Sequence, residues 1–171
     1  GVRGARAGVA VSRVDYTLGG LYRDLGKGYA TVFSLYGNYP LLRRPTANLD
    51  VSANLDAKRM SDALFDLPNP RTAQVLNLQL SGDRQGQIAG LPNALRYQIG
   101  TSGGRLRNTD DWNSAQTRGT YYKMTTSAKF SQGLRRGMVL DLSINTQHAS
   151  RNLDGSEKMM LGGPGAVRAY S

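Results

Sequence analysis

Residues able to do chemistry are few in this 171-residue chain. It has no cysteine, which removes disulfides, thiolate catalysis and sulfur-ligated metals together. The single histidine, His148, has no partners for a metal site, and no Ser/His/Asp set can be built around it; a polar strand-end role suits it better. Asp110-Asp111, between Thr109 and Trp112, reads as a solvated acidic loop tip rather than an acid–base pair. Gly100-Thr101-Ser102-Gly103-Gly104 has the glycines of a phosphate-cradling loop, but no Lys-Ser/Thr follows and no helix begins there. No catalytic residue, cofactor or metal is expected. One charged group is presented differently. Arg168 follows a Gly162-Gly163-Pro164-Gly165 turn and sits between Val167 and Ala169-Tyr170. The glycines permit positive φ and Pro164 stiffens the turn, so the guanidinium is placed to reach a carboxylate. On residue physics alone, an ordinary solvated loop arginine remains open.

Charge sets the next bound. Twenty-two Lys and Arg, 17 of them Arg, stand against 12 acids, a formal charge of +10. That balance raises nucleic acid, anionic lipid or a basic channel lining as partners. The basic residues are scattered rather than gathered in a run, which weakens the nucleic-acid reading. No stretch of eighteen apolar residues exists, so no transmembrane helix is expected; barrel strands, only half apolar, escape that test. The chain starts with Gly1 and shows no leader-like segment.

The elements that must position these residues are strands, because apolar residues recur with period two. Val14, Tyr16 and Leu18 alternate with Arg13, Asp15 and Thr17. Thr31, Phe33, Leu35, Gly37, Tyr39 and Leu41 share one face. Leu49, Val51, Ala53, Leu55 and Ala57 alternate with Asn48, Asp50, Ser52, Asn54 and Asp56, the cleanest case. Further strands carry Leu76, Leu78 and Leu80; Leu95, Tyr97, Ile99 and Thr101; Tyr122, Met124, Thr126, Ala128 and Phe130; and Leu140, Leu142, Ile144 and Thr146. That gives seven antiparallel strands in a meander of hairpins. Loops are expected at 19–28, 58–71 and 106–118 at one end of the sheet, with a helical turn at Ser61–Phe65 capped by Ser61. Short turns at 43–46 and 133–137 lie at the other end. The link at 82–92 belongs to the short end yet reads as long. A ten-residue strand tilted near 40° spans roughly 25 Å along a barrel axis, the height of an outer-membrane barrel's apolar band. A soluble sandwich gives the same alternation, so period alone leaves both architectures open.

The tail narrows the choice. Asn152-Leu153-Asp154-Gly155-Ser156-Glu157-Lys158 and Leu161 to Tyr170 resemble the two-partner secretion transporters of the ShlB/FhaC/HecB haemolysin secretion/activation family, in the Omp85 superfamily. Val167-Arg168-Ala169-Tyr170 stands for that superfamily's Val-Arg-Gly-Phe/Tyr motif, with Ala169 at the Gly position. Tyr39-Pro40-Leu41-Leu42-Arg43 and Leu80-Ser81-Gly82-Asp83-Arg84 look like the same family's barrel. The resemblance implies an all-β fold, a partial barrel domain over 1–171 equivalent to strands five to eleven of sixteen. Periplasmic POTRA domains and the remaining strands would lie outside it. It also implies that 152–171 begins a loop folding into the lumen, with Gly162, Gly163, Pro164, Gly165, Val167, Arg168, Ala169 and Tyr170 as its motif and an acid on a later strand as Arg168's partner. The implied function is secretion of an unfolded partner protein such as a haemolysin or adhesin across the bacterial outer membrane. The implied partners are that protein and membrane lipid, the barrel being monomeric, without enzymatic activity, cofactor or nucleic acid. The competing expectation is a soluble, basic β-sheet module for an acidic ligand.

Overall fold

The computed structural model describes residues 4–17, 26–64, 67–108, 117–153 and 157–159. They form one seven-stranded sheet in the order β1-β2-β3-β4-β5-β6-β7, with every neighbour antiparallel. The strands are β1 Arg6–Thr17, β2 Gly26–Arg44, β3 Ala47–Leu64, β4 Leu67–Ile88, β5 Leu91–Asn108, β6 Gly119–Gly133 and β7 Val139–Ala149. The expected all-β meander is therefore the observed fold. Strands of up to 22 residues far exceed the five or six usual in globular sheets. No described helix is long and apolar enough to cross a membrane, which says nothing about crossing by strands.

Several boundaries move. The helical turn expected at Ser61–Phe65 is absent over its described part, because Ser61 to Leu64 are the last residues of β3. The expected 58–71 loop is likewise mostly strand, and β3 stays paired to β4 up to Leu64↔Leu67. Pro68 and Pro70 suggested a break there. They lie two residues apart, so both missing N–H groups fall on the same edge of β4. Among the described residues β5 pairs with β4 only from Arg71↔Asn108 onward, so neither proline interrupts a described β4–β5 rung. The link at 82–92 is also strand except for Ala89-Gly90, a two-residue turn joining Ile88 to Leu91. Both turn residues have positive φ, 53° and 77°, the primed turn whose twist matches a hairpin. The short end is thus short throughout: Pro45-Thr46, Ala89-Gly90 and 134–138, where a single 3-10 turn spans Arg135–Gly137.

Register sorts every residue onto one of two faces. One row reads Val9–Leu35–Leu55–Leu76–Gly103–Tyr122 across six strands, and the next rows toward the short turns add Ala53, Leu78 and Met124, then Val51, Leu80 and Ile99. The opposite face holds Ser34, Asn54, Asp56, Asn77, Ser102 and Lys123. Burial is inverted relative to a globular sheet. Leu55 is 48% exposed, Leu76 47% and Ile144 58%, whereas Asp56 is 8% exposed and Ser102 7%. The shielded groups are hydrogen-bonded, as burial requires. Asp56 accepts from Ser34 Oγ at 2.6 Å and Asn54 Nδ2 at 2.9 Å, and Ser102 Oγ donates to Asn77 Oδ1 at 2.6 Å. A single layer shields one face only by curling round it or by chain folded back over it, so the polar face is the inner one. In β1 the phase differs from the reading of Val14 and Tyr16 as the apolar side. They pair with Ala30 and Gly28 on the inner face, while Arg13 and Asp15 point outward with Val9 and Val11. Near the long-loop end, the two faces exchange character.

Candidate functional site

That exchange builds a small apolar floor on the inner wall. Met60 of β3, Ala73 and Val75 of β4, Leu106 of β5 and Tyr121 of β6 lie together on the inner face near the long-loop end, each no more than 5% exposed. Tyr121 lies flat over its cross-strand partner Gly104, where a Cβ would come within 2.5 Å of the ring. Only glycine leaves that room, so the Gly104–Tyr121 pair lets a large ring lie down on the wall instead of standing into the interior.

The chain leaving β7 returns to this floor. Ser150 stays tied to β6, its N–H donating to Tyr122 O at 2.9 Å and its Oγ accepting from Tyr122 N at 3.0 Å. Arg151 Nη1 donates to Arg118 O and Thr120 O. Leu153, 6% exposed, then closes over Met60, Ala73, Val75, Leu106 and Tyr121.

Glu157 fixes the returning segment. Its Oε1 receives Lys58 Nζ of β3 at 2.5 Å, and its Oε2 receives Lys123 Nζ of β6 at 2.5 Å. These strands are three spacings apart, about 14 Å on a flat sheet, so one carboxylate ties distant parts of the inner wall together. Gln147 of β7 grips the same backbone from the side: its Nε2 donates to Glu157 O at 3.0 Å and its Oε1 accepts from Met159 N at 2.9 Å. Glu157 is 5% exposed. Burial alone would raise its pKa, but hydrogen bonds from Lys123 and Lys58, with their charges, outweigh burial and hold the carboxyl below its ordinary value. The arrangement is a latch, an apolar plug beside a two-lysine clamp.

The sequence-derived candidates fall elsewhere. Gly162, Gly163, Pro164, Gly165, Val167, Arg168, Ala169 and Tyr170, like Asp110 and Asp111, lie outside the described residues. His148 is exposed and outward-facing near the end of β7, in register with Met124. Among the described residues no cluster of His, Cys, Asp or Glu could hold a metal. Gly100 to Gly104 are mid-strand in β5, not a loop. Leu153 and Glu157 sit in the Asn152–Lys158 segment, but nothing local assigns them a role, because their partners lie up to 99 residues away. A signal existed for the floor. Ala73, Val75, Leu106 and Tyr121 are apolar or aromatic residues in the polar phase of strands otherwise alternating cleanly.

Fold and site define a class: an inside-out antiparallel meander, apolar outside and polar within, with a segment latched to its inner wall. Residues 21–171 match the haemolysin secretion/activation proteins ShlB/FhaC/HecB, and the chain belongs to that family. It is also similar to the heme/hemopexin transporter protein HuxB of Haemophilus influenzae, 22% identical over 172 residues, which covers 96% of this chain and 30% of that protein. A HuxB of Haemophilus influenzae strain 86-028NP is 23% identical over 174 residues, with the same coverage. The chain thus spans about 30% of the length of the curated relatives it matches. No solved structure matches it significantly.

Proposed function

We propose that this chain is part of the wall of an outer-membrane β-barrel that secretes a partner protein, with the segment after β7 held in the lumen by the Glu157 latch. The inverted burial carries the reading. Val9, Leu35, Leu55, Leu76 and Tyr122 form a continuous exposed apolar row, while the shielded face is a hydrogen-bonded polar wall. Lipid is the solvent that stabilises such an exterior, and a wet conduit suits such an interior. Strand ends support it by staggering in one sense. At the long-loop end the β3–β4 ladder runs as far as Leu64↔Leu67, whereas the β6–β7 ladder stops at Lys123↔Ala149, a step of the kind that strands inclined to a barrel axis make. Family membership points to the transported class, a secreted protein; the polar ladder offers a passing extended chain hydrogen-bonding groups, and Leu153 caps the apolar floor. The motif around Arg168 belongs to the same loop and is proposed to dock deeper in the lumen. The conduit is proposed to work without chemistry of its own. A soluble basic module would leave the whole apolar row to water, which soluble monomers rarely do.

The test uses the absence of cysteine in these 171 residues, with any cysteine elsewhere in the full-length protein replaced beforehand. Val51 and Ser52 are neighbours on opposite faces of β3. In the full-length protein in membranes, Ser52→Cys should react with a water-soluble thiol reagent and Val51→Cys should not. Equal labelling, or the reverse order, would remove the barrel assignment.

A further inference from the structure

The outward surface changes abruptly at the long-loop end. One row of cross-strand partners reads Arg13–Thr31–Arg59–Thr72–Arg107, spanning β1 to β5, with Arg105 one row below on β5. Neighbouring strands are about 4.8 Å apart, so guanidiniums on alternate strands recur at roughly 10 Å with a threonine hydroxyl between them. Together with Tyr29 and Phe33, they surround a shallow hollow of about 780 Å³. Arg13 is held by Asp15 and lies over the Tyr29 ring at 5.2 Å. Arg59, Arg105 and Arg107 are exposed and have no carboxylate partner among the described residues. Among the described residues, four guanidiniums thus face outward beside one carboxylate.

Position gives this cluster its meaning. On β3 the outward residues Ala47, Leu49, Val51, Ala53, Leu55 and Ala57 are all apolar, and Arg59 follows directly. Ten residues at about 3.3 Å each, inclined near 40°, rise roughly 25 Å, the height of the apolar band of a barrel. Arg59 therefore stands at the level where hydrocarbon gives way to headgroups. Uncompensated charge beside hydrocarbon is costly, and that cost falls when anions occupy the hollow. Guanidinium forks match phosphate oxygens two at a time, and the Thr31 and Thr72 hydroxyls add donors of the right reach.

We propose, resting on the barrel reading above, that this hollow binds the phosphate-bearing headgroup of an outer-leaflet lipid, with Arg59, Arg105 and Arg107 as its principal contacts and Arg13 at its edge. The full-length transporter, in nanodiscs of phosphatidylcholine containing a minor fraction of bis-phosphorylated lipid A, tests it by the lipid A retained per protein in native mass spectrometry. Arg59→Gln/Arg107→Gln should cut retention at least about tenfold, since two charge-assisted contacts to phosphate are lost. Arg96→Gln/Lys129→Gln, which removes two charges from the inner face, should leave it unchanged. Retention within twofold of the parent in the Arg59/Arg107 variant, or equal loss in the inner-face control, would overturn the proposal. Displacement of lipid A by inorganic phosphate at matched phosphate concentration would also overturn it, by showing a site for the ion alone. Thiol labelling at positions 51 and 52 of the same nanodisc sample tells a failure of this site from a failure of the barrel.

Discussion

Glu157→Gln probes the latch most directly. In the parent, a carboxylate that is 5% exposed lies between two ammonium groups whose side chains are 16% and 13% exposed. Glutamine keeps the shape and one acceptor oxygen, but leaves Lys58 and Lys123 facing each other without an anion. Breaking a buried ion pair by removing one partner costs about 3–5 kcal/mol. An interior reached by water relaxes part of that, and about 2–3 kcal/mol is the working figure for releasing the segment. Every 1.4 kcal/mol is a factor of ten, so opening should become some thirty- to hundredfold more frequent. The assay is hydrogen exchange of the 150–159 backbone in the full-length protein, read against β3 as an internal reference. Met159 N–H, donated to Gln147 Oε1, should lose protection first. The global fold should stay intact, since the sheet ladder does not pass through Glu157. Protection of Met159 within threefold of the parent would refute the clamp, as would equal loss of protection throughout β3. Replacing Lys58, Lys123 and Glu157 together with methionine should restore closure, because a well-packed apolar trio of similar length can substitute for a buried charged one.

Acid should open the same latch. Glu157 has a lowered folded pKa, so its contribution is fully present above the ordinary carboxyl value near 4.5 and fades as pH falls through the folded value; exchange of 150–159, corrected for intrinsic rates, should rise only below that ordinary value. Val51→Arg, outward in the middle of the apolar band, should cost about 2–4 kcal/mol of barrel stability, whereas Ser52→Arg, one residue along on the inner face, should cost less than about 1 kcal/mol, measured by urea unfolding in lipid vesicles. Ala89→Asn should stabilise the β4–β5 hairpin by on the order of 0.5–1 kcal/mol in the same measurement, because asparagine tolerates the positive φ of 53° that alanine is forced to adopt. Gly104→Val should displace the Tyr121 ring from the floor and loosen Leu153, seen as faster reaction of a Leu153→Cys thiol, with β7 pairing unchanged.

Much of the fold is legible in the residues themselves. Leu49 to Ala57 against Asn48 to Asp56 can only be a strand with one apolar and one polar side, because each residue's face follows from the two-residue period. The same logic fixed six of the seven strands in phase. It failed where local cues competed with pairing. Pro68, Pro70 and the glycines at 82, 86 and 90 read as loop, yet all but Gly90 are strand, held there by long partners on β3 and β5. In β1, Val14 and Tyr16 changed face for a related reason. Tyr16 packs on Gly28 of the inner wall, and Asp15 is held outward by Arg13.

The site was far less legible. Alternation states that a strand has two unlike faces, but not which one the molecule turns inward, since an apolar face suits a core and a lipid surface equally. Only the tertiary structure decides that, and here it shields Asp56 while exposing Leu55. The latch depends on tertiary structure still more. Lys58, Lys123 and Gln147 lie 99, 34 and 10 residues from Glu157 and share no motif with it; strand register and the return of the chain bring them to one residue. By itself the sequence determined seven long two-faced strands and a family. Curvature, which depends on how all the strands twist together, decided which face is the interior and what the chain does when it returns there.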